Sequence, residues 1–566
     1  MSSPPQPASL PAGRAANGAG RAIDWGFARL LAWRVWAVPA AIVALGGALR
    51  LWGIGHDVPN PFYDAAVRSM GLSWHNFFFG ALDPSGQVAI DKPPLDLWLQ
   101  VASTKLLGFD RTALALPEAL AGTAAVAMLY AALTRACGRL AGSIAALAYA
   151  VLPVAVLTAR SDTMDSVMSM LLVAALWSAL VGLQRRRARW AIASAALVGL
   201  AFDVKLLQAL VPLPALALLW WGSVRAGEPL RSRLRLAAQC ATGLIAVALA
   251  WALVASLTPA GQRPVPQGSH NGSIFRAMFV YNGVERLTGK SHEPIPYGDS
   301  SPPGALRLLS TASPFYGKLI GFALLASLLL AALALVLWRR EGRRGLWPLA
   351  PGAERLSAAE GERCVRALAL SLVVWLGVSW LLFSFMSKLQ PRYLEALSPG
   401  VAAAFGIAAA FVLARAGRAL PAAARTPALV LVLALLAVQP LLYSVQLIET
   451  NTTDANPTGS GVQYYRYLHA HRDGARYEAA TSNPLAAVGL IAADGQPILF
   501  LRTLDGIRVS VAQLRALVRE GAVRYAIIQR GCVPRHFCTP TTRWTQQNAV
   551  QVLPGLYRYL PRAGYR

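Results

Sequence analysis

Long apolar runs alternate with short polar segments over most of the chain. From residue 35 to residue 448 these runs recur at a length of about 20 residues, which spans a bilayer as an α-helix. The run at 190–203 is short, and a broken or re-entrant helix is the alternative there. We predict about eleven spans, at 35–55, 117–134, 140–158, 164–183, 190–203, 206–222, 236–257, 317–338, 367–385, 397–414 and 426–447.

The composition agrees with a membrane-embedded chain. Of the 566 residues, 55% are hydrophobic and only 14% are charged. A soluble globular protein carries about 25% charged residues. The chain is therefore predicted to be an all-α polytopic membrane protein, with the lipid bilayer as its surroundings.

The net charge of +26 raises the question of a nucleic-acid partner. The basic residues, however, form short clusters between apolar runs. The preference of Lys and Arg for the cytoplasmic loops of membrane proteins produces such clusters. We therefore expect no nucleic acid. If the N-terminus is cytoplasmic, every Arg cluster between spans is cytoplasmic, and the segments rich in acidic, amide and aromatic residues lie outside.

The two ends of the chain differ from the middle. Residues 1–34 are predicted to form a disordered cytoplasmic tail, with no visible cleavable signal peptide. Residues 449–566 are predicted to form a small extracytoplasmic α/β domain. It contains short strands at 477–483, 497–503 and 524–529 and a helix at 509–521. Cys532 and Cys538 lie close together there, and they are predicted to form a disulfide if this region is outside the cytoplasm.

The first predicted outer loop, 56–116, is rich in acidic and aromatic residues. Its acids include Asp57, Asp64, Asp83 and Asp91. Two prolines follow Lys92 and restrict the backbone, so the Asp-Lys pair is held in place. A fixed lysine at a membrane surface suits a phosphate ligand. The alternative is that Lys92 reaches the interface as an anchor and Asp91 is its partner.

Further charged residues occur at the predicted outer ends of later spans. Arg160, Asp162 and Asp165 precede the fourth span, and the two acids share a helix face. Acids at a helix N-terminus are also favoured by the helix dipole alone. Lys205 lies between two apolar runs, where an ionisable group without a function is costly.

Two more predicted outer loops carry cations. Lys388 and Arg392 require an anionic partner, and the choice lies between a phosphate group and the nearby Glu395. Loop 258–316 contains Arg263, Asn282 and Arg286, whose side chains suit phosphate or hydroxyl contacts. A loop without a binding role is the alternative for this segment.

Acids and cations beside lipid fit two activities. In group transfer from a lipid phosphate, cations stabilise the departing phosphate and a carboxylate takes the proton of the acceptor. In transport, paired charges line a pathway, commonly at mid-span and in repeated halves, neither of which is visible here. The sequence thus favours a transferase, with a polyprenyl-linked lipid flippase or transporter as the alternative. An inactive binding or scaffold subunit is a third possibility.

The first loop contains the motifs NPFYDAAVRSM, SWHNFFF and VAIDKPPL, and RSDTMDS, FDVKLLQ, LTPAGQRP, YNGVERLTG and SKLQPRY follow along the chain. In this order, the motifs resemble glycosyltransferase family 39, which contains protein O-mannosyltransferases and the lipid A aminoarabinose transferase. The resemblance is nearest to a bacterial branch of mannosyltransferase-like proteins and covers about residues 35–448.

The resemblance implies a GT-C fold with about 11–13 transmembrane helices. It also implies a polyprenyl-phosphate-linked sugar as donor and an extracytoplasmic acceptor at the bacterial inner membrane. Asp91-Lys92-Pro93 stands where the aminoarabinose transferase has a glutamate-lysine-proline sequence. Asp165, Lys205 and the segment from Lys388 to Tyr393 match further family positions.

One departure affects the acid. The superfamily has an Asp-Glu pair at the start of the first loop, where this chain has Pro59 and Asn60. We therefore keep Asp57, Asp64 and Asp91 as candidate bases. The predicted phosphate ligands are Lys92, Lys205, Lys388, Arg392 and Arg160. The predicted supporting residues are Asn60, Tyr63, Asp83, Asp162, Asp165, Arg263 and Asn282. A divalent cation is an option as cofactor, with no ligands assigned.

Overall fold

The structure is a computed structural model that describes residues 36–224, 227–290, 301–312, 314–340, 358–419, 437–454, 461–503, 506–528 and 538–560. The predicted cytoplasmic tail lies outside these residues. The first half contains α1 (Trp36–His56), α2 (Pro61–Met70), α3 (Trp74–Phe79), β1 (Val88–Ala89), α4 (Leu95–Leu107), α5 (Arg111–Cys137), α6 (Arg139–Val151), α7 (Pro153–Ala159), α8 (Asp165–Arg185), α9 (Ala188–Lys205), α10 (Leu213–Gly222) and α11 (Leu230–Leu257).

The second half begins in the predicted second outer loop. It contains β2 (Val265–Pro266), α12 (Glu285–Thr288), α13 (Phe322–Arg340), α14 (Ala358–Phe385), α15 (Ser398–Ala419), α16 (437–449), α17 (Tyr465–His471), β3 (Ala480–Thr481), α18 (Val488–Asp494), β4 (Leu499–Phe500), β5 (Arg502–Thr503), β6 (Gly506–Ile507), α19 (Val511–Arg519), β7 (Tyr525–Ile527), α20 (Pro540–Asn548), β8 (Ala549–Leu553) and β9 (Leu556–Tyr559).

The multi-pass helical architecture predicted from the sequence is confirmed. Among the described residues, eight helices are long and apolar enough to cross a membrane, and there are nine if α6 and α7, which are bent by 60° at their junction, are counted as one span. The predicted run 206–222 corresponds largely to the shorter apolar helix α10, and α16 covers part of the run 426–447. As far as their residues are described, the eleven apolar runs thus coincide with helices, but not all of these helices have the length of a full span.

The bend between α6 and α7 follows from Pro153. The preceding residue, Leu152, is extended with ψ 120°, as residues before proline prefer, and the helix therefore breaks. The guanidinium of Arg50 on α1 donates to the carbonyls of Ala150 at 2.9 Å and Tyr149 at 3.3 Å. Helix C-termini leave such carbonyls without intrahelical partners, so this buried arginine stabilises the break. Gly122 leaves room for it, because a Cβ there would lie 2.9 Å from the Arg50 Nε.

The short run at 190–203 is a continuous helix and not a broken one. It lies within α9, which continues to Lys205 and ends where Leu206 takes a φ of 53°. A left-handed φ is strained for a leucine, and it turns the chain sharply at the end of the span. Lys205 is therefore the last residue of a regular helix.

The C-terminal region is an α/β domain, as predicted. Its five-stranded sheet has the order β4-β3-β7-β9-β8, in which β3 is parallel to β4 and β7, and β9 is antiparallel to β7 and β8. The helix predicted at 509–521 is α19, which begins with a capping box between Ser510 and Gln513. The β8–β9 hairpin and helices α17, α18 and α20 are not apparent from the sequence patterns.

The segments predicted to lie outside the membrane contact one another. In the first loop, β1 pairs in parallel with β2 of the second loop, with Val88 opposite Val265. Helix α2 of the first loop packs against α18 of the C-terminal domain. The Arg68 guanidinium on α2 donates to the Ala492 carbonyl at 2.9 Å and fixes this contact. Two loops and one domain therefore enclose a common region at one end of the helices.

Candidate active site

The first half of the candidate site is built around Asp91 and Lys92, both of which are buried. Lys92 forms an ion pair with Asp91 and donates a hydrogen bond to the Tyr63 hydroxyl at 3.3 Å. The Arg286 guanidinium lies 3.5 Å from the Asp91 carboxylate and donates to the Tyr393 hydroxyl at 3.0 Å. Segments far apart in the sequence thus meet around the ion pair of Asp91 and Lys92.

Asn282 explains how the second loop reaches this point. Its amide donates to the Asp91 carbonyl at 2.7 Å, while its side-chain oxygen accepts a hydrogen bond from Arg286 at 3.1 Å. One asparagine therefore ties the backbone of the first loop to the cation of the second. This supports a positioning role for Asn282, which the sequence places among the supporting residues.

The second half of the site is built around Lys205 and Asp165. Their side chains pair at 2.7 Å and are almost fully buried. Gln208 donates to the other Asp165 oxygen at 3.1 Å and lies 3.4 Å from the Tyr393 carbonyl. Arg392 pairs with Asp454 at 3.1 Å. The cations Lys92, Arg286, Lys205 and Arg392 are called the cation cluster below.

The backbone is unusual on both sides of the Asp165–Lys205 pair. Met164, directly before Asp165, has a φ of 71°, and Leu206, directly after Lys205, has a φ of 53°. Left-handed conformations at non-glycine residues persist only where the surroundings hold them, and they are common at active sites. Here they allow α8 to begin with its acid, and α9 to end with its lysine, at the same place.

Tyr63 lies between the two halves of the site. Burial raises the pKa of its hydroxyl to about 12, while the positive charges of Lys205 and Arg392 oppose this rise. Its hydroxyl also accepts the hydrogen bond from Lys92. Tyr393 joins the two halves directly, because its hydroxyl accepts from Arg286 and its carbonyl accepts from Gln208, so the cation cluster is one site.

Two of the three candidate bases belong to a neighbouring network. Asp57 pairs with Arg160 at 2.7 Å, and both side chains are fully buried. Asp64 lies beside Asp162, whose carboxylate is 3.3 Å from the Arg111 guanidinium. The contacts of these acids thus run to Arg160 and Arg111 and not to the cation cluster.

The acids differ in their proton affinity. Burial, and then the negative charge of Asp162, raise the pKa of Asp64 well above its usual range. Burial also acts to raise the pKa of Asp91, but the charges of Lys92 and Arg286 outweigh it, and the pKa of Asp91 is lowered. Burial raises the pKa of Asp57 against the opposing charge of Arg160. Asp91 is thus ionised at neutral pH, whereas Asp64 holds its proton more tightly.

Several predicted site residues have other contacts. Arg160 donates hydrogen bonds to the Asp57 carboxylate and, at 2.6 Å, to the Trp52 carbonyl, so it connects the first loop with α1. These contacts do not support its predicted role in phosphate binding. Asp83 accepts hydrogen bonds from the backbone N–H groups of Ser85, Gln87 and Val88 and holds a turn. Arg160 and Asp83 fit structural roles.

The remaining predicted residues lie around the cluster. Asn60 is buried directly before α2, which carries Tyr63 and Asp64. Lys388 is half-buried, and its backbone N–H donates to the Arg286 carbonyl at 3.3 Å. The alternative partner for Lys388 and Arg392, Glu395, instead accepts a hydrogen bond from the Tyr149 hydroxyl at 2.7 Å. Arg263 lines a small cavity together with Asp91 and Lys92.

Sequence reasoning missed four residues that shape the site. Asp454 holds Arg392, and Gln208 holds Asp165. Arg111 pairs with Asp162. Glu118, on α5, accepts from the Ser166 backbone N–H at 2.7 Å and so caps the first turn of α8. A buried glutamate inside an apolar run was a usable signal, because such groups require a partner.

The metal option and the disulfide both stay predictions. Across the described residues, no group of three or more His, Cys, Asp and Glu side chains could hold a metal ion. The divalent cation is therefore an option without ligands. Cys538 is disulfide-bonded, but Cys532 lies outside the described residues, so their pairing is a prediction as well.

Comparisons with known proteins match two parts of the chain. Residues 91–251 match the family model of dolichyl-phosphate-mannose-protein mannosyltransferases. Residues 464–548 match the model of the C-terminal region of YkcB-like proteins, which are named for an inferred mannosyltransferase activity. The first match begins at Asp91 and includes Asp165 and Lys205.

Two Bacillus subtilis (strain 168) proteins of the same inferred activity are similar. YkcB is 34% identical over 235 residues, which are 42% of this chain and 32% of YkcB. YycA is 36% identical over 236 residues, which are 42% of this chain and 34% of YycA. The chain thus matches about a third of the length of each of these curated relatives.

A solved structure resembles the chain over most of its length. The crystal structure of ArnT from Cupriavidus metallidurans bound to undecaprenyl phosphate covers 92% of this chain and 97% of its own, with a TM-score of 0.56 and 16% identity. At this identity the likeness concerns the fold. Residues 91–251 are thus similar to the mannosyltransferase family that the motifs resemble, and the helices share the fold of ArnT.

Proposed function

We propose that this chain is a membrane glycosyltransferase that moves a sugar from a polyprenyl-phosphate donor to an extracytoplasmic acceptor. The observation that carries the proposal is the cation cluster, in which four cations are accompanied by the three carboxylates of Asp91, Asp165 and Asp454. One positive charge is left over before a ligand binds. The undecaprenyl phosphate named for the ArnT structure is an anion and thus a ligand of opposite charge.

The cluster favours departure of the phosphate over binding of the intact donor. In the donor, the phosphate links two groups and carries one negative charge, whereas the released polyprenyl phosphate gains a second. Fixed positive charges in a site with little water stabilise the form with more negative charge. Lys92, Lys205, Arg392 and Arg286 are therefore proposed to hold the phosphate, with Lys388 at the edge of the site.

The reaction balances with one base. The acceptor hydroxyl oxygen forms a bond to the anomeric carbon, and the bond from that carbon to the phosphate oxygen breaks with its electrons going to the phosphate. The proton of the acceptor hydroxyl passes to a carboxylate. Attack opposite the departing phosphate inverts the anomeric carbon.

We propose Asp91 as the base. It is the one candidate of the three that contacts the cation cluster, and it also lines the cavity beside Arg263. An acceptor in this cavity would lie next to both the carboxylate and the phosphate. Asp64 is the second candidate, because burial and the negative charge of Asp162 raise its pKa, and a carboxylate with a raised pKa is a stronger base.

The pH profile of kcat distinguishes the two bases. A base works only when ionised, so the lowered pKa of Asp91 predicts a rate that stays level well into the acidic range. With Asp64 as the base, its raised pKa predicts that the rate begins to fall at a higher pH than it would with Asp91. We expect the level profile, and we expect Asp91→Asn to lower kcat by about 100-fold or more.

Asp64→Asn is the matched variant. It replaces an acid of the same loop without touching the cluster, so we expect a smaller loss of kcat together with an unchanged pH profile. Full activity of Asp91→Asn would exclude Asp91 as the base. If the wild-type rate falls at acidic pH and this fall is absent in Asp64→Asn, Asp64 and not Asp91 is the base.

A further inference from the structure

A second and larger cavity opens between the two loops and the C-terminal domain. It has a volume of about 570 Å³. Its walls include Gln87 of the first loop, Arg263 of the second loop, and Tyr477, Arg508 and Gln513 of the C-terminal domain. This cavity is called the interdomain cleft below. None of the described residues that line it belongs to the cation cluster.

The cleft and the cavity of the candidate active site share one lining residue. Arg263 lines the interdomain cleft on one side and the small cavity of Asp91 and Lys92 on the other. The backbone there is held, because β1 pairs with β2 and the Arg263 Nε donates to the Thr258 carbonyl at 3.2 Å. A molecule in the cleft that contacts Arg263 would therefore lie at the border of the cavity that Asp91 lines.

The lining favours a hydroxyl-rich ligand with negative charges. Among the described residues that line the cleft there are two arginines and no acid. The side-chain amides of Gln87 and Gln513 can exchange hydrogen bonds with the hydroxyl groups of a ligand. The ring of Tyr477 is half-exposed and provides a surface against which a sugar ring can pack. Arg508 is exposed, and its Nε donates to the Thr503 hydroxyl at 2.9 Å, which orients the guanidinium. Arginine binds carboxylate and phosphate groups in a forked geometry.

We propose that the interdomain cleft binds the acceptor, and that the acceptor is an anionic glycan whose end reaches Asp91 past Arg263. This assignment rests on the proposed transferase function, and it gives the C-terminal domain the task of selecting the acceptor. The shared chemistry is a polyhydroxyl chain that bears carboxylate or phosphate groups.

Binding without a donor tests the cleft separately from the transfer reaction. The affinity of the purified full-length chain for three fluorescent polyhydroxyl probes is measured by fluorescence anisotropy. These are a polygalacturonate oligomer with carboxylates, a glycerol-phosphate oligomer with phosphates, and a neutral mannan oligomer. We expect one or both anionic probes to bind, and the neutral probe to bind more weakly. Because the charges are exposed, the affinity should fall with salt.

Arg508→Glu is the decisive variant, with Arg519→Ala as its control. Arg519 is exposed on α19, the helix of Gln513, and does not line the cleft. Loss of a charged hydrogen bond predicts a drop in affinity of about tenfold or more for Arg508→Glu and little change for the control. Tyr477→Ala gives a second, uncharged test, and a thermal unfolding curve verifies that each variant is folded.

Several results would overturn the proposal. These are equal binding of the neutral and anionic probes, no binding of any probe, or unchanged affinity in both Arg508→Glu and Tyr477→Ala. Hydrolysis of the donor, in which water takes the place of the acceptor and polyprenyl phosphate is released, reports separately on the transferase. If that release occurs and the probes do not bind, the cleft assignment fails while the proposed function stands.

Discussion

Lys92→Ala removes the cation that contacts both Asp91 and Tyr63. The lysine is buried, pairs with Asp91 and donates to the Tyr63 hydroxyl at 3.3 Å. After its loss, Asp91 keeps Arg286 at 3.5 Å as a cationic neighbour. The variant therefore weakens the proposed phosphate site and changes the environment of the proposed base in one step.

Both effects have a predictable size or direction. A hydrogen bond to a charged group contributes about 1.5–3 kcal/mol, which corresponds to a fall in kcat of about 10- to 100-fold. The charge of Lys92 lowers the pKa of Asp91, so its removal raises that pKa. Because the base acts only when ionised, the rate of the variant should fall further as the pH decreases, through a range in which the wild-type rate stays level.

The assay measures kcat from about pH 4 to about pH 8 on the purified full-length protein with a polyprenyl-phosphate sugar. Lys105→Ala is the matched control, because this lysine lies at the end of α4, in the same loop but away from the cluster. Lys92→Arg should recover part of the rate and keep the level profile. Wild-type kcat in Lys92→Ala, with an unchanged pH profile, would refute the reasoning.

Two further predictions concern stability. Asp57→Ala leaves Arg160 buried without its carboxylate, so we expect the free energy of unfolding to fall by about 3–5 kcal/mol and the Tm to be clearly lower. Glu362→Ala removes one partner of an exposed ion pair and should lower the free energy of unfolding by less than about 1 kcal/mol. Glu118→Ala leaves the Ser166 N–H unsatisfied and should cost about 1–3 kcal/mol. Thermal unfolding in one detergent measures all three, and equal Tm values for Asp57→Ala and Glu362→Ala would contradict a structural role of the buried pair.

The helices could be predicted because their signal is local. Apolar runs of span length, and the alternating residues of the C-terminal strands, depend only on neighbouring positions. The break at Pro153 also has a local cause, and attention to the residue before proline would have found it. Helix α10 is shorter than its apolar run because a 3-10 helix, Leu206–Leu210, occupies the start of that run and Pro212 precedes the first residue of α10.

The candidate site could be predicted only in part, because its contacts join distant segments. Lys205 and Asp165 stood out, since charged groups at span ends are costly. Their direct pairing, across 40 residues, was not evident. Arg392 was expected to bind a phosphate or Glu395, yet it pairs with Asp454, which lies 62 residues away. Arg160 is predicted to bind phosphate, whereas its burial against Asp57 and the Trp52 carbonyl fits a structural role.

The central claim is that the chain transfers a sugar and does not move an intact lipid. The most direct measurement is mass spectrometry of the lipid after the purified protein, in vesicles, has been incubated with a polyprenyl-phosphate sugar. We predict that free polyprenyl phosphate accumulates with the wild-type protein and falls by about 10- to 100-fold with Lys92→Ala. Intact donor that crosses to the other leaflet without release of polyprenyl phosphate would contradict the account.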